Sequence, residues 1–268
     1  MFNFQPLKML NIINNQCIVI FPVYKKLDEQ EKKAIRQGIS MTAGFNHVFI
    51  APESFVFDFS FDEFKSVEVV RFRNFYFKGI KGYNRLMLSK EFYKRFQNFE
   101  YILIHQTDAF LFKKELEYWC GFGYDFIGAP WLESEKKFKS KWRKFMFEAI
   151  QQLFYKKTEN CLQYLQVGNG GLSLRKTSSF IEVLEKVPKI PFYIYVKFLI
   201  NSFNEDLFWG IIARKVKNDF LIPDWHKALH FAIETKPSYA YQLNGNQLPF
   251  ACHATNKYEP DFWRQYIY

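Results

Sequence analysis

The chain has 268 residues, rich in aromatics (33 Phe, 16 Tyr, 6 Trp) and sparing in Gly (12) and Pro (10). That composition excludes a disordered, collagen-like or linker-rich protein and suits one domain with a sizeable core. Lys and Arg number 37 against 27 Asp and Glu, a net charge of +10, which favours an anionic partner: phosphate, nucleic acid or an anionic membrane face.

Residues 1–15 read as an N-terminal extension. They carry one Lys and scattered apolar residues without the apolar core and small-residue cleavage site of an export signal, so a cytoplasmic chain is expected. Gln16 to Phe21 is a continuous apolar run closed by Pro22 and predicts a buried parallel strand. Asp28, with Glu31 three residues on, is a weakened capping box for a helix that places Ile35 and Ile39 on one face and stops near Gly44. His47 to Ile50 predicts a second strand ending at Pro52, and Val67 to Phe72 a third. Tyr83 to Phe99 contains helical stretches with Ser89 as a cap between them, and Tyr101 to Ile104 is another buried strand.

Strands alternating with helices imply an α/β fold with a mainly parallel central sheet flanked by helices. Ligands bind such sheets outside the carboxyl ends of the strands. That rule points to Pro22 and Tyr24 after the first strand, Pro52 and Glu53 after the second, and Gln106, Thr107 and Asp108 after the strand at 101–104. A carboxylate at the position of Asp108 suits a divalent metal bridging a diphosphate, and equally a loop Asp that caps the next turn.

Further along, residues 136–157 hold eight Lys or Arg against one Glu, with Phe138, Trp142, Phe145, Met146, Ala149, Ile150 and Leu153 at helical spacing. This basic amphipathic helical insertion can pack on the domain or lie on an anionic leaflet. Gly168, Asn169, Gly170 and Gly171 allow close backbone approach but fit neither GxGxxG nor the P-loop pattern. Leu172 to Leu174 then resumes as strand, with a helical stretch expected from Arg175 and Lys176. Asn204, Glu205 and Asp206 open an apolar helix, where acids are ordinary first-turn residues or a general base at a cleft. The longest apolar run, Pro191 to Phe203, is broken by Lys197 and Asn201 and falls short of the roughly 20 residues that span a bilayer. His226 and His230 lack an intervening HExxH glutamate and read as structural. His253 lies in an apolar setting, where a lone His is either a core residue or, beside an acid, a metal ligand. Cys17, Cys120, Cys161 and Cys252 are singly spaced, with no CxxC, and read as reduced thiols.

Taken in order, VIFPVYK, KGYNRLMLS, YILIHQTDAF, YDFIGAPW, VGNGGLSLRK, NEDLFW and LPFACHA followed by FWR resemble the GT-A glycosyltransferases that use nucleotide sugars. The nearest likeness is to a bacterial glycosyltransferase-like family often left as a domain of unknown function, and a more distant one is to the β-1,4-galactosyltransferases. The resemblance runs from Cys17 to Trp263 and implies a single GT-A-like, Rossmann-like domain over 16–268. It implies that Pro22, Tyr24 and Glu53 hold the nucleotide base and that Asn84 and Arg85 reach ribose or diphosphate. Asp108 matches the last acid of an Asp-x-Asp motif whose first acid is replaced by Gln106, and His253 matches a C-terminal metal ligand. Trp131, Asn169, Gly170 and Gly171 match the surface facing donor sugar and acceptor, and Asp206, with Glu205 beside it, matches the catalytic base.

The implied reaction moves a sugar from a nucleotide-sugar donor, a UDP-sugar by the likeness, to a hydroxyl of a glycan or lipid-linked acceptor. It proceeds with inversion and with Mn²⁺ or Mg²⁺, in surface polysaccharide, lipooligosaccharide or glycan synthesis at the inner face of the cell membrane. A non-catalytic nucleotide-sugar or glycan-binding protein of the same fold is the alternative that Gln106 suggests. A nucleic-acid-binding protein is disfavoured, because the basic residues accompany no RRM, KH, zinc-finger or helix-turn-helix signature.

Overall fold

The continuous apolar runs of the sequence become the centre of a mixed α/β structure, in a computed structural model that describes residues 15–132, 166–200 and 204–267. The strands are β1 (Cys17–Pro22), β2 (Asn46–Pro52), β3 (Glu68–Phe72), β4 (Tyr101–His105), β5 (Phe110–Leu111), β6 (Phe126–Gly128), β7 (Leu172–Lys176), β8 (Ala232–Ile233) and β9 (Ala251–Cys252). Six of them form the main sheet in the order β3-β2-β1-β4-β7-β6. β1 pairs in parallel with β2 and β4, and β2 with β3, while β7 lies antiparallel between β4 and β6. Ile18, Ile20, Ile102 and Ile104 pack on one face of the sheet and Val19, Phe21, Tyr101 and Leu103 on the other. Burial on both faces is why these strands read as unbroken apolar runs.

The helices are α1 (Glu29–Met41), α2 (Gly79–Met87), α3 (Lys90–Arg95), α4 (Leu116–Cys120), α5 (Thr177–Lys186), α6 (Lys189–Ile194), α7 (Glu205–Leu207), α8 (Ala213–Val216), α9 (Trp225–Phe231), α10 (Pro237–Leu243) and α11 (Pro260–Ile267). The capping box of α1 is complete. Asp28 accepts the amide of Glu31 at 2.8 Å, and the Glu31 carboxylate accepts the amide of Asp28 at 3.1 Å. Ser89 caps α3 by accepting the amide of Phe92 at 3.2 Å.

One boundary moves. The expected helix does not begin at Arg175, because β7 continues through Lys176 and the helix starts at Thr177. Arg175 pairs with Ile102 on one side and Phe126 on the other, so its backbone is committed to the sheet. Its side chain is fully buried and meets Glu205, which is 2% exposed, in a two-pronged ion pair at 2.9 and 3.2 Å. The same guanidinium donates to the Tyr93 hydroxyl at 2.9 Å, to Ser173 Oγ at 2.9 Å and to the Gly170 carbonyl at 3.3 Å. This network ties β7, α3 and the start of α7 together.

A second sheet, β5-β9-β8, is made of two-residue strands that the sequence does not announce. β5 runs antiparallel to β9 and β8 parallel to it, which carries the residues after β9 back to the end of β4. Cys17, Cys120 and Cys252 are buried free thiols, as expected. No helix among the described residues is long and apolar enough to cross a membrane. The basic insertion at 136–157, Cys161 and all but the last residue of the N-terminal extension lie outside the described residues.

Two stability outcomes follow from these interactions. Asp28→Ala should cost about 1 kcal/mol through loss of the cap. Arg175→Met, which strands a buried carboxylate, should cost about 3–5 kcal/mol in urea unfolding, and the double change Arg175→Met with Glu205→Leu should recover most of that loss.

Candidate active site

β1 and β4 are parallel neighbours, so Pro22 and His105 finish at the same edge of the sheet. Past β4 the chain turns tightly: Gln106 donates its amide to the Gly171 carbonyl at 2.8 Å, and its own carbonyl accepts from Ala109 at 3.0 Å. The turn presents Asp108, whose side chain is 42% exposed. His253 arrives from the other direction, held at the end of β9 by the hydrogen bond that its backbone amide donates to the Ile233 carbonyl at 3.1 Å. Its Nε2 lies 3.2 Å from Asp108 Oδ1 and 3.1 Å from Gln106 Oε1. Its Nδ1 lies 3.3 Å from Glu234 Oε1, an ion-pair contact without in-line hydrogen-bond geometry.

Burial opposes a charge on His253, but contacts with the Asp108 and Glu234 carboxylates outweigh it and push its pKa up to about 10. Burial would likewise raise the Asp108 pKa; the His253 contact prevails and leaves it below the ordinary carboxylate value. With no cation beside it, the two carboxylates therefore favour the protonated imidazole. Among the described residues no three His, Cys, Asp or Glu side chains converge as a metal-binding group. The atoms that do converge are one carboxylate oxygen, one amide oxygen and one imidazole nitrogen.

The 168–171 loop closes the site from the side of β7. A Cβ on Gly171 would overlap the His253 ring, one on Gly170 would overlap the Glu205 carboxylate, and one on Gly168 would overlap the Trp131 indole. Asn169 takes the left-handed backbone, φ 104°, and its side-chain oxygen accepts the Gly171 amide at 2.8 Å. Its side-chain nitrogen is buried without a partner. Trp131, Asn169, Gly170 and Gly171 are thus brought together, with His253 and Glu205 packed on successive glycines.

A cleft of about 370 Å³ lies at the ends of β1 and β4, lined by Pro22, Tyr24, Gln106, Thr107 and Asp108, by Asp28 and Glu31 at the start of α1, and by Asn256 and Lys257 beyond β9; His253, Asp206 and the 168–171 loop are not among its lining residues. Lys25 and Lys257 stand on its walls, and Lys25 pairs with Glu31 at 3.0 Å. Glu53 is exposed at the end of β2 and Arg85 is half-buried in the last turn of α2; neither lines the cleft. His226, on α9, is exposed and lies 3.4 Å from Asp224.

Two expected site residues are occupied elsewhere. Asn84, expected to reach the donor, is 4% exposed and joins α2 to the start of α7. It donates to Asn204 Oδ1 at 3.3 Å and accepts the Glu205 amide at 3.4 Å, so its side chain is engaged within the protein. Glu205, expected beside the catalytic base, is sealed in the Arg175 pair. Asp206 is half-buried, and its carboxylate accepts the Leu207 amide at 2.8 Å. The sequence reading missed Glu234, Lys25 and Lys257. No motif marks Glu234, and the lysines are two among 37 basic residues.

The fold matches solved glycosyltransferases of the GT-A type. Against a glycosyltransferase involved in the glycosylation of the major capsid of PBCV-1, the TM-score is 0.50 at 9% identity, covering 94% of this chain and 98% of that one. Against an active-site mutant of LgtC, a galactosyltransferase, it is 0.55 at 11% identity, covering 88% of this chain and 86% of that one. At these identities the likeness is one of fold. No curated protein matches the chain in sequence. The family profile described as "Protein of unknown function (DUF5672)" matches residues 66–253, a span that runs from just before β3 to His253, and the chain belongs to that family.

Proposed function

We propose that the cleft binds a nucleotide-sugar diphosphate with a divalent cation and transfers the sugar to an acceptor hydroxyl. The observation that carries this reading is the convergence of Asp108 Oδ1, Gln106 Oε1 and His253 Nε2 beside a cleft that Gln106 and Asp108 help to line, on a GT-A fold. Neighbouring ligands of a six-coordinate Mg²⁺ or Mn²⁺ stand about 3 Å apart when metal–oxygen distances are about 2.1 Å. The spacings of 3.1 and 3.2 Å about His253 fit that requirement. Asp108, Gln106 and His253 would hold the ion, and when bound it supplies charge neutralisation for a departing diphosphate.

Lys25 and Lys257 attract the phosphates, and Pro22 with Tyr24 offers an apolar and aromatic surface to the base. Asp206 takes the proton from the acceptor hydroxyl as its oxygen bonds to the anomeric carbon. The bond from that carbon to the diphosphate oxygen breaks with the electron pair leaving on the nucleotide, so a single displacement inverts the centre. UDP as the nucleotide, and a glycan or lipid-linked glycan in surface polysaccharide synthesis as acceptor, complete the proposal. They are supported by the order of motifs along the chain and by the basic segment 136–157.

A panel of nucleotide sugars with Mn²⁺ or Mg²⁺, scored by released nucleotide, tests the activity; no release from any donor contradicts it. Asp206→Asn should lower transfer at least 100-fold while donor affinity, read by calorimetry, stays near that of the parent. Equal loss of transfer and donor binding would remove Asp206 as the base. Asp108→Asn should instead weaken donor binding itself wherever that binding depends on the metal.

A further inference from the structure

We infer that Glu234 acts through His253 to restore to the cation site the negative charge missing at Gln106, making it a positioning residue for the metal-binding imidazole. The inference rests on the metal site of the proposed function and concerns a residue outside every motif of the chain.

Backbone register places Glu234. β8 and β9 pair in parallel with Ala232 opposite Ala251 and Ile233 opposite Cys252, so the next residue on each strand, Glu234 and His253, come side by side. The amide of His253 bonded to the Ile233 carbonyl at 3.1 Å fixes that alignment. The two side chains are 16% and 11% exposed, with Glu234 Oε1 3.3 Å from Nδ1. Nε2 faces Asp108 and Gln106 on the opposite side of the ring.

An imidazole that gives one nitrogen to a metal is oriented and made more basic by a carboxylate on the other, typically with a 10–100-fold effect on metal affinity. Here the direct donor set carries one negative charge, from Asp108, because Gln106 is neutral. Glu234 is a second carboxylate one imidazole removed from the cation. Gly171 packs against the same ring, leaving His253 little room to rotate away from this alignment.

Mn²⁺ binding by the full-length protein, followed by electron paramagnetic resonance without donor, reads the inference directly. Glu234→Gln should weaken Mn²⁺ affinity about 10–100-fold. Glu234→Asp, which keeps the charge, should lose several-fold at most. Gln106→Asp should gain more Mn²⁺ affinity in the Glu234→Gln background than in the parent, whereas equal gains in the two backgrounds would mean that Glu234 does not supply the missing charge. Parent-like Mn²⁺ affinity in Glu234→Gln, or no Mn²⁺ binding by the parent, overturns the inference. If Glu234→Gln does not fold, Gln106→Asp with Glu234→Asp must bind Mn²⁺ at least as tightly as the parent, and weaker binding overturns it. Donor hydrolysis by the parent is scored alongside. Hydrolysis with unchanged Mn²⁺ affinity in Glu234→Gln removes Glu234 and keeps sugar transfer, whereas lost Mn²⁺ affinity without hydrolysis of any donor by the parent supports Glu234 and removes sugar transfer.

Discussion

The absence of room for a side chain along the loop at 168–171 governs how the site is assembled. Trp131, Glu205 and His253 each press on a different glycine of that loop, so three elements distant in sequence share one backbone as their contact surface. A methyl group at any of the three would push away the indole, the buried ion pair or the imidazole. The glycines are needed for close approach, while the left-handed turn falls on Asn169, whose side chain closes onto the Gly171 amide. The Arg175–Glu205 pair then fixes the loop from below, since the same guanidinium bonds the Gly170 carbonyl. Packing and electrostatics thereby set the position of His253 without any residue of its own short strand doing so alone.

Charge is distributed against the overall balance of the chain. The net charge is +10, yet His253 stands between two carboxylates, Asp108 and Glu234, and the neighbouring cleft carries Asp28 and Glu31 as well as Lys25 and Lys257. A cation beside Asp108 and an anion reaching toward Lys257 is an arrangement such a distribution accommodates. Much of the remaining positive charge lies in 136–157, outside the described residues.

The main sheet was legible because strands buried on both faces must be apolar at every position, and the runs at 16–21 and 101–104 have that form. Asp28 with Glu31 was legible as a helix start because capping is a local interaction. Strands of two residues carry no periodicity, so β5, β8 and β9 were invisible, and with them the register that brings Glu234 to His253. Asn84 and Glu205 show the converse. A polar side chain beside a motif reads the same whether it faces a ligand or satisfies a buried neighbour, and here both serve the start of α7. The strand assignment of Arg175 likewise depended on neighbours more than 40 residues away, beyond the reach of a local reading.

The placement of cation and diphosphate is tested most directly by anomalous diffraction from crystals grown with Mn²⁺ and UDP. The account predicts one manganese peak bounded by Asp108, Gln106 and His253, with the diphosphate reaching it between Lys25 and Lys257. A manganese peak elsewhere, or UDP bound away from the ends of β1 and β4, would contradict it.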